Sequence, residues 1–236
     1  MVSIQPVKKI TVTEQVMEQI ASLIRSGELA PGQQLPNERD LAKQFGVTRG
    51  RVREALRALS LVGLITIKAG EGSFVKPQEE PIPSDTIVWM FHNELNNLDD
   101  VYAARKLIES EVYLTAVRHA ASGDIVRLEN IAGKLQEVKT EPQRFLDLLD
   151  QFDLWTGDIC GNRIYAKLMQ TIVYLRRETS LKLLSVPGAI ENSIQSRTEL
   201  LEALKSKNIE QMEKAVADFF GRSKTFYKKI GGNALY

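Results

Sequence analysis

The chain has 236 residues, 43% of them apolar, with 31 Lys/Arg against 30 Asp/Glu. That is long enough for two modest domains and apolar enough to pack both. A single cysteine, Cys160, excludes an internal disulfide and a four-cysteine zinc site and fits a reducing compartment.

No run approaches the ~18 apolar residues of a membrane span. The stretch Met1 to Pro6 lacks the apolar segment of a signal peptide. The expectation is a cytoplasmic protein with no membrane partner.

In chain order, Thr11 or Thr13 can cap a helix that runs to about Ser26, with Val16, Ile20, Leu23 and Ile24 on one face and Gly27 as its stop. Gly32 and Pro36 then punctuate the chain. Asn37 can accept an orphan backbone N–H and so cap a second helix, in which Leu41, Ala42 and Phe45 point inward. Gly46 ends it, because glycine takes the left-handed conformation at little cost. Thr48 caps a third helix. Arg49, Arg51 and Arg53 give it three guanidiniums in its first turns, and Val52, Leu56 and Leu59 form a second, apolar face. Gly63 closes that helix. Residues 64–68 alternate like a strand, Ala69-Gly70-Glu71-Gly72 turns, and Ser73-Phe74-Val75 returns as the other arm of a hairpin.

A row of arginines at a helix start suits the major groove, where a guanidinium donates two hydrogen bonds to guanine O6 and N7. An isolated run reads better as a solvated basic face. Here it stands inside an ordered set of helix, glycine turn, helix and hairpin, the winged form of the helix-turn-helix. The charge distribution agrees: residues 1–78 carry a net charge of +4 and the remainder −3.

The segment from Leu35-Pro36-Asn37-Glu38-Arg39 through Gly46-Val47-Thr48-Arg49 and Val52-Arg53-Glu54-Ala55-Leu56 to Gly70-Glu71-Gly72-Ser73-Phe74-Val75 resembles the winged-helix DNA-binding domain of GntR-type bacterial regulators. The resemblance implies a double-stranded DNA operator as partner. It also implies base or phosphate contacts from Arg39, Arg49 and Arg53, phosphate contact at Thr48, and entry of the wing at Gly72. Arg51 and Arg57 read either as phosphate contacts or as solvated residues. One short reading helix covers few base pairs, so a homodimer on a pseudo-palindromic operator is expected.

The reading domain is placed at residues 8–78. The proline-bearing stretch with Pro77, Pro81 and Pro83 marks the boundary, and a linker follows at 79–90. Residues 91–230 show helical periodicity and no convincing strand. Helices are read at 101–117, 125–138, 142–160, 163–184, 190–205 and 209–229, with Asp124 and Asn208 as caps. The fold class is therefore mostly α: an N-terminal winged helix-turn-helix plus a C-terminal all-α helical bundle.

The bundle resembles the ligand-binding domain of the FadR subgroup, through Ala104-Arg105-Lys106-Leu107-Ile108-Glu109, through Phe152-Asp153 with Gly161-Asn162-Arg163-Ile164-Tyr165, and through Glu199-Leu200-Leu201-Glu202-Ala203-Leu204 with Asn208 and Ala215. Many members of the subgroup hold a divalent metal with one aspartate and three histidines. Alignment puts those positions at Leu149, Asp153, Arg197 and Arg222, of which Asp153 alone suits a cation; Asp150 is nearby. The two histidines, His92 and His119, fall elsewhere. The expectation is no metal and no other cofactor.

Arg105, Arg197 and Arg222 would converge on one cavity, with Asp153 neutralising one of them, and would hold an anionic small-molecule effector by bidentate hydrogen bonds. An acyl-coenzyme A, a sugar acid or a short organic acid fits that chemistry. The alternative makes these arginines surface residues or members of internal salt bridges. Arg176 and Arg177 read either as helpers or as solvated. No Ser-His-Asp or Cys-His set has catalytic spacing, and Gly70-Glu71-Gly72 lacks the strand-then-helix context of a nucleotide loop. The chain is thus read as a regulator and not as an enzyme. An enzyme with a DNA-binding head and a scaffold with a purely dimerising bundle are the rival readings.

Overall fold

In the computed structural model, residues 10–77, 82–94 and 97–231 are described; residues 8–9 and 78 of the expected reading domain, 79–81 of the expected linker and 95–96 of the expected bundle lie outside that set. The chain divides into two compact units between Thr86 and Ile87.

The first unit holds α1 (Val12–Ser26), α2 (Glu38–Phe45), α3 (Arg49–Leu61), β1 (Ile65–Lys68) and β2 (Gly72–Val75). Thr11, not Thr13, caps α1. Its hydroxyl accepts from the Glu14 N–H while the Glu14 carboxylate accepts from the Thr11 N–H, a reciprocal box. The Asn37 side chain accepts from the Arg39 and Asp40 amides at the start of α2, and Gly46 closes that helix at φ 66°. Thr48 then caps α3. The last residues of α3 are Leu61 and the cap Val62, with Gly63 following at φ 77°.

Each helix buries the face its spacing announces. Val16 and Ile20 of α1, Leu41 of α2 and Val52, Leu56 and Leu59 of α3 form one core with Ile65 and Val75 of the hairpin. The hairpin is antiparallel, pairing Ile65 with Val75 and Lys68 with Gly72. Gln33 and Leu35 add backbone bonds to Val75 and Ser73, so the wing is stitched to the segment before α2.

A short helix, α4 (Ser84–Met90), occupies the second half of the stretch read as linker. The prolines end at Pro83, and the Thr86 amide donates to the Pro83 carbonyl as the first turn forms.

The second unit holds α5 (Leu98–His119), α6 (Ser122–Glu137), α7 (Pro142–Ile159), α8 (Arg163–Leu175), α9 (Arg177–Leu184), α10 (Ala189–Ser206) and α11 (Ile209–Lys229). It has no strand among the described residues. Its core joins Val112 and Tyr113 of α5, Leu128 of α6, Phe152 of α7, Met169 and Val173 of α8, Leu200 and Leu204 of α10 and Phe219 and Phe220 of α11. Helix α6 starts before the expected cap: Ala121 is its N-cap, and Asp124, three residues in, accepts from the Ala121 amide; Asn208 caps α11 as expected. The one helix expected over 163–184 is two. Arg176 is at once the last cap of α8 and the first of α9, with its side chain buried.

Candidate functional site

The reading face is built on α3. The buried positions Val52, Ala55, Leu56 and Leu59 fix the helix against α1, α2 and the hairpin, which leaves Arg49, Arg51 and Arg53 in solvent. Glu38, the first residue of α2, organises two of them. Arg53 donates from Nε to Oε1 at 2.9 Å and from Nη2 to Oε2 at 2.7 Å, and Arg49 Nη2 stands 3.8 Å from the same carboxylate. The Arg53 hydrogen bonds hold the Glu38 carboxyl below its usual range. Arg53 keeps Nη1 outside this fork, so its other edge can meet a phosphate or a base.

Arg51 leans back on Glu54 at 3.2 Å. Arg39 is exposed on α2. The Thr48 hydroxyl accepts from the Arg51 amide at 3.5 Å, at the helix N-terminus where an anion is favoured.

Gly72 opens β2 at φ 115°, a conformation that L side chains rarely adopt. A Cβ there would lie 3.0 Å from Gln34 Nε2, which donates to the Glu71 carbonyl and ties down the turn. Glu38 was not singled out from sequence. The available signal was an acidic residue beside the Asn37 cap.

In the second unit Asp153 is fully buried on α7 and surrounded by donors. Its Oδ2 accepts from Arg176 Nη2 at 2.7 Å and Arg197 Nη2 at 2.6 Å, and its Oδ1 from the Tyr113 hydroxyl at 2.5 Å. Arg176 also donates to Asp150 Oδ1 at 3.1 Å and to the Ser180 hydroxyl. Arg177 binds Asp147 and Asp150. Arg105 forms a bidentate pair with Glu109 at 2.8 and 3.1 Å, one turn along α5, and donates to the Tyr227 hydroxyl. Buried Arg105, Arg176 and Arg197 thus stand against buried Glu109, Asp150 and Asp153. Burial alone would raise the Asp153 carboxyl. Arg197 and Arg176 outweigh it and hold the group below its ordinary value. For Asp150 burial prevails, and its carboxyl is raised.

Arg105, Arg176 and Arg197 line one cavity of about 50 Å³ with Ser180, Asn192 and Ser193. Arg222 does not. It is half-buried between α10 and α11, donating to Asn192 and Ser196 and pairing with Glu199 at 2.5 Å. Arg176, which the sequence left undecided, lines the cavity. Arg105 and Arg197 line the cavity and are at the same time members of internal salt bridges, the alternative given for them. The Nε–H groups of Arg176 and Arg197 have no hydrogen-bond acceptor; that of Arg176 stands 3.5 Å from Glu109.

The positions aligned with metal ligands do not fit a divalent ion. Leu149 offers no donor atom, Arg197 and Arg222 are cations, and both Asp153 oxygens already accept hydrogen bonds. No group of three or more His, Cys, Asp or Glu suited to a metal occurs among the described residues. His92 and His119 are exposed, their Nδ1 atoms set against the Trp89 and Thr115 carbonyls.

Removing the Asp153 charge strands the buried guanidinium of Arg197 and leaves that of Arg176 hydrogen-bonded to Asp150 alone among the carboxylates. Asp153→Asn is expected to lower the unfolding free energy at pH 7 by about 3–5 kcal/mol. A carboxyl held below its unfolded value of about 3.9 stabilises the fold above that value, and the contribution is lost as pH falls through the folded one. The gap between wild type and variant should therefore narrow below about pH 4. Urea unfolding at neutral and acid pH measures it, and a gap independent of pH would contradict the assignment.

Comparison with known proteins places both units. The family described as bacterial regulatory proteins, gntR family, matches residues 12–75, and the FCD domain matches residues 100–222. The Uxu operon regulator of Haemophilus influenzae is 28% identical over 203 residues, 82% of this chain and 73% of its own length. LutR, an HTH-type transcriptional regulator of Bacillus subtilis, is 26% identical over 82% of this chain and 91% of its own length. The galactonate operon transcriptional repressor of Escherichia coli is 21% identical over 92% and 97%. A solved Streptococcus agalactiae GntR structure shares the fold with a TM-score of 0.65 at 21% identity, covering 92% of this chain and 99% of that one. Among the described residues no helix is long and apolar enough to cross a membrane. The chain belongs to the GntR family of DNA-binding transcriptional regulators, with an FCD domain after its winged helix, and it is not an enzyme.

Proposed function

We propose that this regulator acts in the cytoplasm as a homodimer on a pseudo-palindromic operator and responds to an anionic small molecule bound in its helical bundle. For DNA, Arg49 and Arg53 of α3 enter the major groove, with Glu38 setting the fork of Arg53 before the duplex arrives. Arg39, Arg51 and Thr48 take phosphates, and the backbone at Gly72 carries the wing into the minor groove. The exposure of the α3 arginines beside a buried apolar face supports this reading.

The effector reading rests on one observation: two arginines that line a cavity each have an Nε–H without an acceptor. A carboxylate supplies acceptors. Ser180, Asn192 and Ser193 offer further polar contacts. The cavity, about 50 Å³, holds a few waters' worth of volume at ~10–15 Å³ each, which favours a short organic acid over a sugar acid and both over an acyl-coenzyme A. The relative named for the galactonate operon supports an acid as the ligand class. No metal takes part, because guanidiniums occupy the carboxylate a cation would need.

The resident cations and anions balance, so an incoming carboxylate competes with Asp150 and Asp153 for the same donors. Asp150 lies on α7, Arg176 between α8 and α9, and Arg197 on α10. Redistribution of these ion pairs is the local change through which a ligand can favour one arrangement of helices over another.

Two outcomes are expected. Arg49→Ala lowers affinity for a selected operator by about ten- to hundredfold while leaving weak, salt-sensitive binding to random duplex; unchanged operator preference in gel-shift titration would sink the groove assignment. In a thermal-shift screen, a short carboxylic acid at about a hundred times its Kd raises the melting temperature by roughly 5–10 °C, and the matching amide does not. Equal shifts from acid and amide would rule out recognition by the arginines.

A further inference from the structure

The segment before α2 pairs with the base of the wing but stops short of its tip. Leu35 donates to the Ser73 carbonyl and Val75 to the Gln33 carbonyl, each at 2.8 Å, and Gln34 stands opposite Phe74 as an antiparallel bridge. Ser73 and Val75 therefore bond along one edge of β2, while Lys76 bonds along the other, to Leu64. Two residues beyond Ser73, the next carbonyl on the first edge is that of Glu71. The backbone has no donor left for it. Pro36 lacks an N–H, and at Asn37 the chain turns away to cap α2. Gln34 supplies the missing rung from its side chain, with Nε2 donating to the Glu71 carbonyl at 2.7 Å.

This bond falls where the hairpin has least support of its own. Residues 67–72 are all exposed. Gly70 and Gly72 take φ 77° and 115°, and glycine leaves the backbone around it free to adopt other conformations. Inside the turn the Glu71 amide donates to the Lys68 carbonyl at 3.1 Å. The Gln34 amide packs directly over Gly72, since a Cβ there would stand 3.0 Å from Nε2. Gln34 is also three residues before Asn37, the cap of the helix whose Glu38 holds Arg53. One short segment thus fixes both the tip of the wing and the acidic residue that sets the α3 fork.

We propose that Gln34 is a positioning residue for DNA recognition. Its amide holds the Glu71–Gly72 peptide in place, and so sets the angle at which the wing meets the minor groove while α3 lies in the major groove. The inference rests on the reading of Gly72 as the point of groove entry and assigns the group that orders it. A turn ordered beforehand does not lose that freedom on binding.

The test uses the full-length chain on a duplex selected by it from a random pool, footprinted in two ways. Methylation of guanine N7 reports the major groove, and hydroxyl-radical cleavage reports the minor groove. Gln34→Met keeps the length of the side chain but has no donor. It should raise Kd by about three- to tenfold, the range of one net hydrogen bond. It should also lose the minor-groove protection while keeping that of guanine N7. Gln34→Lys, which restores an N–H donor at that reach, should recover the minor-groove protection. A wild-type complex with no minor-groove protection would overturn the wing reading itself. Wild-type protection that survives Gln34→Met, or that Gln34→Lys fails to recover, would overturn the role of Gln34 alone. So would loss of the guanine protection in Gln34→Met, because the hydrogen bond reaches only the turn.

Discussion

A carboxylate with no solvent exposure must have cations beside it, and Asp153 has two. The arrangement of the bundle follows from that requirement. Arg176 reaches Asp153 from the junction of α8 and α9, Arg197 from α10, and the Tyr113 hydroxyl from α5. Four helical segments therefore converge on one acidic group. The chain breaks its helix at Arg176, the residue whose side chain is drawn inward. A buried pair of this kind contributes little net stability against an apolar alternative, because desolvation offsets attraction; removal of one partner is what costs. Its value lies in fixing one arrangement of helices.

In the function proposed above, the same network makes the bundle a sensor that uses no metal ion. A divalent cation would hold an anionic ligand by charge and by open coordination positions. In that reading guanidiniums take over, offering directional N–H groups in place of a point charge. Their positive charge is already balanced by Glu109, Asp150 and Asp153, so recognition depends on unmet hydrogen bonds and on exchange of partners. In the first unit Glu38 plays a parallel part, ordering the Arg53 fork that faces solvent. In both units an acidic residue sets the geometry of an arginine, and in the proposed function that arginine meets an external anion.

How much of this could be read from the chain depended on the range of the interaction. The winged helix was legible because its signals are local. Asn37 and Thr48 cap within three residues, and Gly46 and Gly72 take positive φ where the sequence places the turns. Helix α4 was hidden by the three prolines before it. The ion-pair wiring was legible only in part. Arg105 and Glu109 are one turn apart and announce their pairing, whereas Arg176 and Arg197 meet Asp153 across 23 and 44 residues. Arg222 shows the limit of placement by alignment. It lies on the expected helix, but its side chain is taken up by Asn192, Ser196 and Glu199 and does not line the cavity.

Elemental analysis of the protein purified without chelator, with the melting temperature recorded before and after EDTA, tests most directly whether guanidiniums stand in for a metal. The account requires well under one transition-metal ion per chain, on the order of a tenth or less, and a melting temperature that EDTA leaves unchanged. About one bound ion per chain, lost to EDTA with a fall in melting temperature, would contradict it.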